Sequence, residues 1–262
     1  MTTIPETIKR NMIRTLEHMS LSSPRIVFER TPRAIRYESD LPHPLYNRVI
    51  AYEGADEAGA DADIGAIAKR YRERGLPLSW LTWSHDRDAA GLARALEAHG
   101  FKKAGVMTGM SLPLADWTPD VPAPAGMDIR PVRTESDFAW LEDVILPAFG
   151  LEGEAGEVFM RINKIAGTGE DAAFRHYVGF LDGGPAGAAT AVHDGETIGI
   201  YNVATSEGFR RRGIGSVLTA HAVREGQAAG GRLAVLQASG MGLNVYRQLG
   251  FRDDAEIGLY LG

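Results

Sequence analysis

The 262-residue chain has no cysteine, which excludes disulfides, thiolate metal centres and a cysteine nucleophile. It has no run of the roughly 18 apolar residues that a bilayer-spanning helix needs. Its first residues, Met1-Thr2-Thr3-Ile4-Pro5-Glu6, lack the basic stretch and apolar run of a secretory signal. Positive charge is not in excess either: 28 Lys and Arg stand against 34 Asp and Glu, a formal net charge of -6. That balance removes the basic surface carried by proteins of long nucleic acids. The expectation is a cytoplasmic protein with neither a membrane nor a nucleic acid as partner. With 44% hydrophobic and 24% charged residues, the chain reads as folded, in one large domain or two of ordinary size.

Proline is concentrated where a boundary would fall. Pro113, Pro119, Pro122 and Pro124 precede Gly126, and proline fixes φ and removes backbone donors. This predicts one domain over 1–118, an extended linker over 119–126 and a second domain over 127–262. In the second domain a short strand over Met127–Val132 leads to a helix capped at Thr134, with Phe138, Leu141, Val144 and Ile145 on one face, ending at Pro147. A second helix is expected over about 154–166. Three strands follow, over 174–181, 186–193 and 197–205, separated by the turn sequences Asp182-Gly183-Gly184 and Asp194-Gly195. A helix over 213–229, a strand over 233–237, a short helix over 243–249 and a final strand pair complete the order.

The first domain echoes part of that order. A helix over 61–74, an apolar strand over 78–83 and a helix over 88–99 are followed by Gly100-Phe101, as the short helix near 249 is followed by Gly250-Phe251. The parallel predicts an internal duplication. Trp80 and Trp83 read as core residues.

The most informative segment is Val203-Ala204-Thr205-Ser206-Glu207-Gly208-Phe209-Arg210-Arg211-Arg212-Gly213-Ile214-Gly215-Ser216. It joins an apolar strand to an amphipathic helix. Gly213 and Gly215 let the backbone approach a ligand closely. The helix then starts with free N–H groups and the positive end of its dipole, a setting for phosphate or pyrophosphate, and the arginines add bidentate donors. It is not a P-loop, because no Gly-Lys-Ser/Thr ends it, and it lacks the Gly-x-Gly-x-x-Gly of a dinucleotide fold.

Arg210-x-x-Gly213-x-Gly215 resembles the acetyl-CoA-binding motif of the GCN5-related N-acetyltransferases. The resemblance extends from Met127 to the end, including Tyr246-x-x-Leu249-Gly250-Phe251. It implies an α/β fold of two such domains, each a mixed, mostly antiparallel sheet flanked by helices. It implies that acetyl-CoA is the acyl donor, with no metal. Backbone groups of Val203, Ala204 and Thr205 would meet the pantetheine arm, with Val203 N–H polarising the thioester carbonyl. Arg210, Arg211, Arg212, Gly213, Ile214, Gly215 and Ser216 would hold the pyrophosphate. Tyr246 would contact the cofactor and protonate the departing thiolate. Ser239 stands where the family often has Asn.

A primary amine must lose a proton to attack. Glu196 is the candidate base, with Asp194 and His193 beside it; all three also read as turn or strand-end residues. The acceptor would be a small-molecule amine or a peptide, reached by direct attack in a ternary complex, and homodimerisation is left open. In the first domain the corresponding segment, 53–63, carries five carboxylates and no arginine or lysine. It would repel pyrophosphate, so that domain is expected to be degenerate. The competing readings are a non-catalytic acyl-CoA-binding module and, disfavoured by the intact loop, an aminoacyl-tRNA-dependent transferase.

Overall fold

A computed structural model describes residues 2–169 and 172–262. The chain divides into two compact units. The first comprises Met1–Gly109 with Asp253–Gly262, and the second Met110–Arg252.

The first unit opens with a helix that the sequence reading did not pick out, α1 (Ile4–Leu21). Thr3 caps it by accepting the Glu6 N–H, and Ile8, Met12, Ile13, Leu16 and Met19 recur at helical spacing on its buried face. Strands β1 (Val27–Arg30), β2 (Ala34–Glu38) and β3 (Arg48–Tyr52) form an antiparallel meander. Helix α2 (Ala60–Glu73), strand β4 (Ser79–Trp83), helix α3 (Ala89–Ala98) and strand β5 (Lys102–Pro113) follow. β4 returns parallel to β3. Trp80 and Trp83 are fully buried, and Trp83 Nε1 donates to Ile50 O at 2.8 Å, so both are core residues as expected.

In the second unit, strand β6 (Asp128–Pro131) is followed by helices α4 (Phe138–Phe149) and α5 (Gly153–Gly167). Strands β7 (Phe174–Leu181), β8 (Gly184–Asp194) and β9 (Thr197–Thr205) form an antiparallel run. Helix α6 (Ile214–Ala228), strand β10 (Leu233–Ala238), helix α7 (Leu243–Gln248) and strand β11 (Arg252–Leu261) close the chain. β10 is parallel to β9. Each half of the sequence therefore runs through three antiparallel strands, a helix, a parallel strand, a helix and a last strand.

Three expectations need correction. Helix α4 continues past Pro147 to Phe149 and stops at Gly150, whose φ is 61°. A proline in the last turn forfeits one helical bond, and the burial of Leu141, Val144 and Ile145 outweighs it. The expected final strand pair is one ten-residue strand, β11. Its Gly258 lies opposite Thr82 of β4. That last strand also falls in the first unit rather than the second: β11 pairs antiparallel with β4 through Ile257↔Trp83 to Leu261↔Ser79.

The residues just before the stretch expected as a linker, and its first residue, Pro119, are tied to the second unit. Leu114 N donates to Arg232 O, Gln227 Nε2 to Leu114 O, Arg224 Nη2 to Pro119 O, and Trp117 Nε1 to Leu249 O at 2.9 Å. The second core is built from Met110, Leu112 and Leu114 with Ile198, Ile200, Ile214, Leu218, Val223, Leu236 and Phe251.

Candidate active site

The site begins where two parallel strands part. β9 and β10 pair through Leu233↔Thr197, Ala234↔Ile198 and Val235↔Gly199, and the pairing ends there. The rest of β9, including Val203, Ala204 and Thr205, runs on beside β8 alone, with Ala188↔Ala204 and Gly187↔Thr205. Its other edge leaves backbone groups available to a ligand. The register of β8 on β9 shifts between Ala188 and Thr190, and at this bulge Asn202 takes φ 51°. A positive φ is uncommon outside glycine, though Asn tolerates it best.

From Thr205 the chain makes a short 3-10 turn, Glu207–Phe209, and reaches Gly213, which caps α6 with φ 78°. No side chain caps this helix. Val217 N–H is bonded back to Gly213 O, so the N–H groups of Ile214, Gly215 and Ser216 precede the first helical bond and point out of the helix end. Arg210 and Arg211 are exposed, Arg211 with φ 62°. Arg212 is drawn aside: its Nη1 pairs with Asp182 Oδ2 at 2.9 Å and its guanidinium lies over Phe209. The geometry brings together Val203 to Thr205, Arg210, Arg211 and Gly213 to Ser216 in one loop between a parted strand and a helix N-terminus, a setting that fits an anion.

Ser239 follows the end of β10 and is exposed, its carbonyl accepting from Gly242 and Leu243. Tyr246, on α7, packs edge-on to Phe251 with ring centroids 5.9 Å apart. Burial pushes its phenol up to about 12.

Glu196 is not brought to this loop. It precedes β9, whereas the loop follows it, and nine residues of strand separate the two, a span of about 27 Å. Glu196 instead pairs with Arg232 at 3.0 Å, both well exposed. Asp194 and His193 close β8 at the same far end.

A buried polar cluster that the sequence reading missed lies beside the bulge. His176 on β7 meets Thr190 of β8 through Nδ1 at 2.8 Å and Asn163 O of α5 through Nε2 at 3.2 Å. Asn202 Nδ2 donates to Thr190 Oγ1 and to Asn163 Oδ1, each at 3.2 Å. Asn163 Nδ2 donates to Phe159 O. Desolvation lowers His176 to about 4. The four residues come from four elements, so no local spacing announces them; the one sequence signal is an Asn immediately before Val203.

The first unit repeats the backbone without the charge. β3 and β4 also stop pairing early, after Arg48↔Ser79 and Val49↔Trp80. α2 also starts from a left-handed glycine, Gly59 with φ 86°. There, however, the Asp88 carboxylate takes the Ala55 N–H. Glu6, Glu53, Glu57, Asp86 and Asp88, with His85 and Arg87, line a cavity of about 730 Å³.

A parted parallel strand pair followed by an anion-ready helix start is the arrangement that the sequence resemblance implies. Residues 141–251 match the model of the Acetyltransferase (GNAT) family. Over that segment, less than half of the chain, it is similar to the GNAT acetyltransferases. No curated protein sequence matches it. Among solved structures it is similar to a GCN5-related N-acetyltransferase from Kribbella flavida, at 20% identity and TM-score 0.71 over 96% of this chain and 94% of that one. It is also similar to one from Sphaerobacter thermophilus, at 15% identity and TM-score 0.67 over 88% and 80%. A third is a tandem GNAT protein from the clavulanic acid biosynthesis pathway, at 15% identity and TM-score 0.60 over 97% and 95%. At such identities the likeness speaks for the fold.

Proposed function

We propose that the second unit binds acetyl-CoA along the free edge of β9 and transfers its acetyl group to a primary amine of a small molecule or peptide. The carrying observation is the loop itself: an uncapped helix start at left-handed Gly213, flanked by exposed Arg210 and Arg211, directly after the strand that has parted from its neighbour. Acetyl-CoA supplies an activated thioester. The N–H groups of Ile214, Gly215 and Ser216 hold the pyrophosphate, with Arg210 and Arg211 adding charge. Arg212 contributes less, because Asp182 already neutralises it. Backbone groups of Val203 to Thr205 pair with the pantetheine arm, and Val203 N–H faces the thioester carbonyl, where negative charge grows during attack.

Tyr246 hydrogen-bonds the departing sulfur. A phenol held at about 12 keeps its proton at neutral pH. It is a far weaker acid than a thiol of about 8.5, so it stabilises the thiolate by donating rather than by giving up the proton outright. The first unit is a degenerate copy whose carboxylates take the place of the phosphate contacts.

One observation favours a second reading, an acyl-CoA-binding module without turnover: the carboxylate expected as base stands at the far end of β9. Calorimetric titration with acetyl-CoA, followed by an amine panel, separates the two. One site per chain that Gly213→Asp abolishes, with thiol release on adding an amine, supports the transferase. Binding without turnover on any amine supports the module, and no binding by the folded native protein overturns both.

A further inference from the structure

The buried cluster beside the bulge has a single hydrogen-bond polarity. The carbonyl of Asn163 can only accept, so His176 Nε2 carries the proton toward it. The ring is fully buried between Phe138 and Phe174, and a neutral imidazole then presents Nδ1 as an acceptor. Thr190 must therefore donate its hydroxyl proton to His176 Nδ1. That leaves Thr190 Oγ1 to accept from Asn202 Nδ2, whose amide also donates to Asn163 Oδ1. Asn163 in turn donates to Phe159 O, one turn back along α5. Every donor and acceptor in this chain has one role, so the Asn202 side chain is held in one orientation.

The chain can close this tightly because of a glycine. A Cβ at Gly167, the last residue of α5, would lie 2.5 Å from His176 Nε2, so the helix end sits on the imidazole only with no side chain there. Asn202, at the other end, is the residue in the strand bulge with φ 51°. A backbone held in a sparsely populated region persists where its surroundings over-determine it, and such residues cluster at functional sites. Val203, whose N–H is assigned to the thioester carbonyl above, is the next residue.

We propose that the Asn163–His176–Thr190–Asn202 chain is a positioning device that anchors the β9 bulge to α5 and thereby aims the Val203 N–H at the thioester carbonyl. The inference rests on the acetyl-CoA reading of the loop. It adds to it four residues that touch neither the phosphates nor the reacting atoms.

The test reads the carbonyl directly and needs no acceptor amine. Isotope-edited infrared spectra of bound [1-13C]acetyl-CoA report how strongly the thioester C=O is polarised, and calorimetry on the same samples reports affinity. In the native protein the C=O band is expected at lower frequency than in free acetyl-CoA. Asn202→Gly keeps a backbone at ease with positive φ but removes the amide, and Thr190→Val removes the hydroxyl at nearly constant shape. Both are expected to return the band most of the way to its free position while binding acetyl-CoA within about threefold of native. Thr190→Ser, which keeps the hydroxyl, should retain the native band. If Asn202→Gly keeps the native band, the position matters only for its backbone angle and the proposal fails. If Thr190→Val keeps it, the chain of bonds is irrelevant and the proposal fails. Loss of acetyl-CoA binding or of folding in both variants also overturns it, since the cluster would then prop the whole cleft. A native protein that does not bind acetyl-CoA refutes the underlying reading, and one that binds it with an unshifted band refutes the role of Val203.

Discussion

His176 ties stability to pH chiefly through burial. Its ring touches Thr190, the Asn163 carbonyl and the edges of Phe138 and Phe174, none of them charged, so only the hydrogen bond to the Asn163 carbonyl offsets part of the cost of protonating it. In the unfolded chain it titrates near 6.5, and in the folded one near 4. Below 6.5 the unfolded state takes up the proton first, so folding stability falls as pH drops from 6.5 toward 4 and is unaffected by this residue above 6.5. The contribution is on the order of 3 kcal/mol across that window, taking about 1.4 kcal/mol per unit of displaced pKa. Urea denaturation of native protein and His176→Gln is expected to give a stability gap that is widest above pH 6.5 and shrinks by about that amount at pH 4. A gap constant with pH would mean that the imidazole is not buried neutral.

At the scale of elements, strand length decides which carboxylates can act. β9 is nine residues long and extended, with Glu196 before it and the phosphate loop after it. Glu196→Gln breaks only an exposed pair with Arg232, an interaction worth about 0–1 kcal/mol. It is expected to leave acetyl-transfer kcat and KM within twofold of native. A loss of two orders of magnitude in kcat would show that the strand does not hold Glu196 away from the chemistry.

Glycine turns and alternating apolar residues marked β7, β8 and β9 nearly to the residue, because two-residue turns fix where strands end. The Gly213 loop was legible because its requirement is local: a left-handed glycine and free N–H groups at one helix start. The His176 cluster was not, because Asn163, His176, Thr190 and Asn202 meet only after α5 and three strands have packed. Helix α1 was missed although its apolar spacing is regular; its buried face also carries Thr7, Lys9, Asn11 and Thr15, which blur the pattern. Lys9 is buried because Asp86 pairs with it at 2.8 Å.

At the scale of the whole chain, the two units do not coincide with two halves of the sequence. The first unit includes Asp253–Gly262 and the second begins inside β5 at Met110. Inside the first unit β4 is completed by β11. Inside the second, the end of β5 lies next to β10, where the repeated order would place the unit's own last strand. A fragment ending at residue 118 would leave one edge of β4 without the five paired residues Ile257–Leu261. Such a fragment is expected to be unfolded or aggregated by circular dichroism and sedimentation. Adding a synthetic peptide of residues 252–262 should recover part of its cooperative melting. A fragment that folds alone would show that β11 is dispensable to the first unit.

This division also governs the order in which the protein can be made. A chain of successive domains completes the first while the ribosome is still adding the second. Here the first unit waits for Asp253–Gly262, so its folding finishes only after the whole of the second unit has been synthesised. Until then its open strand edge must be kept from other nascent chains, and slower translation of the second unit would lengthen that exposure rather than relieve it.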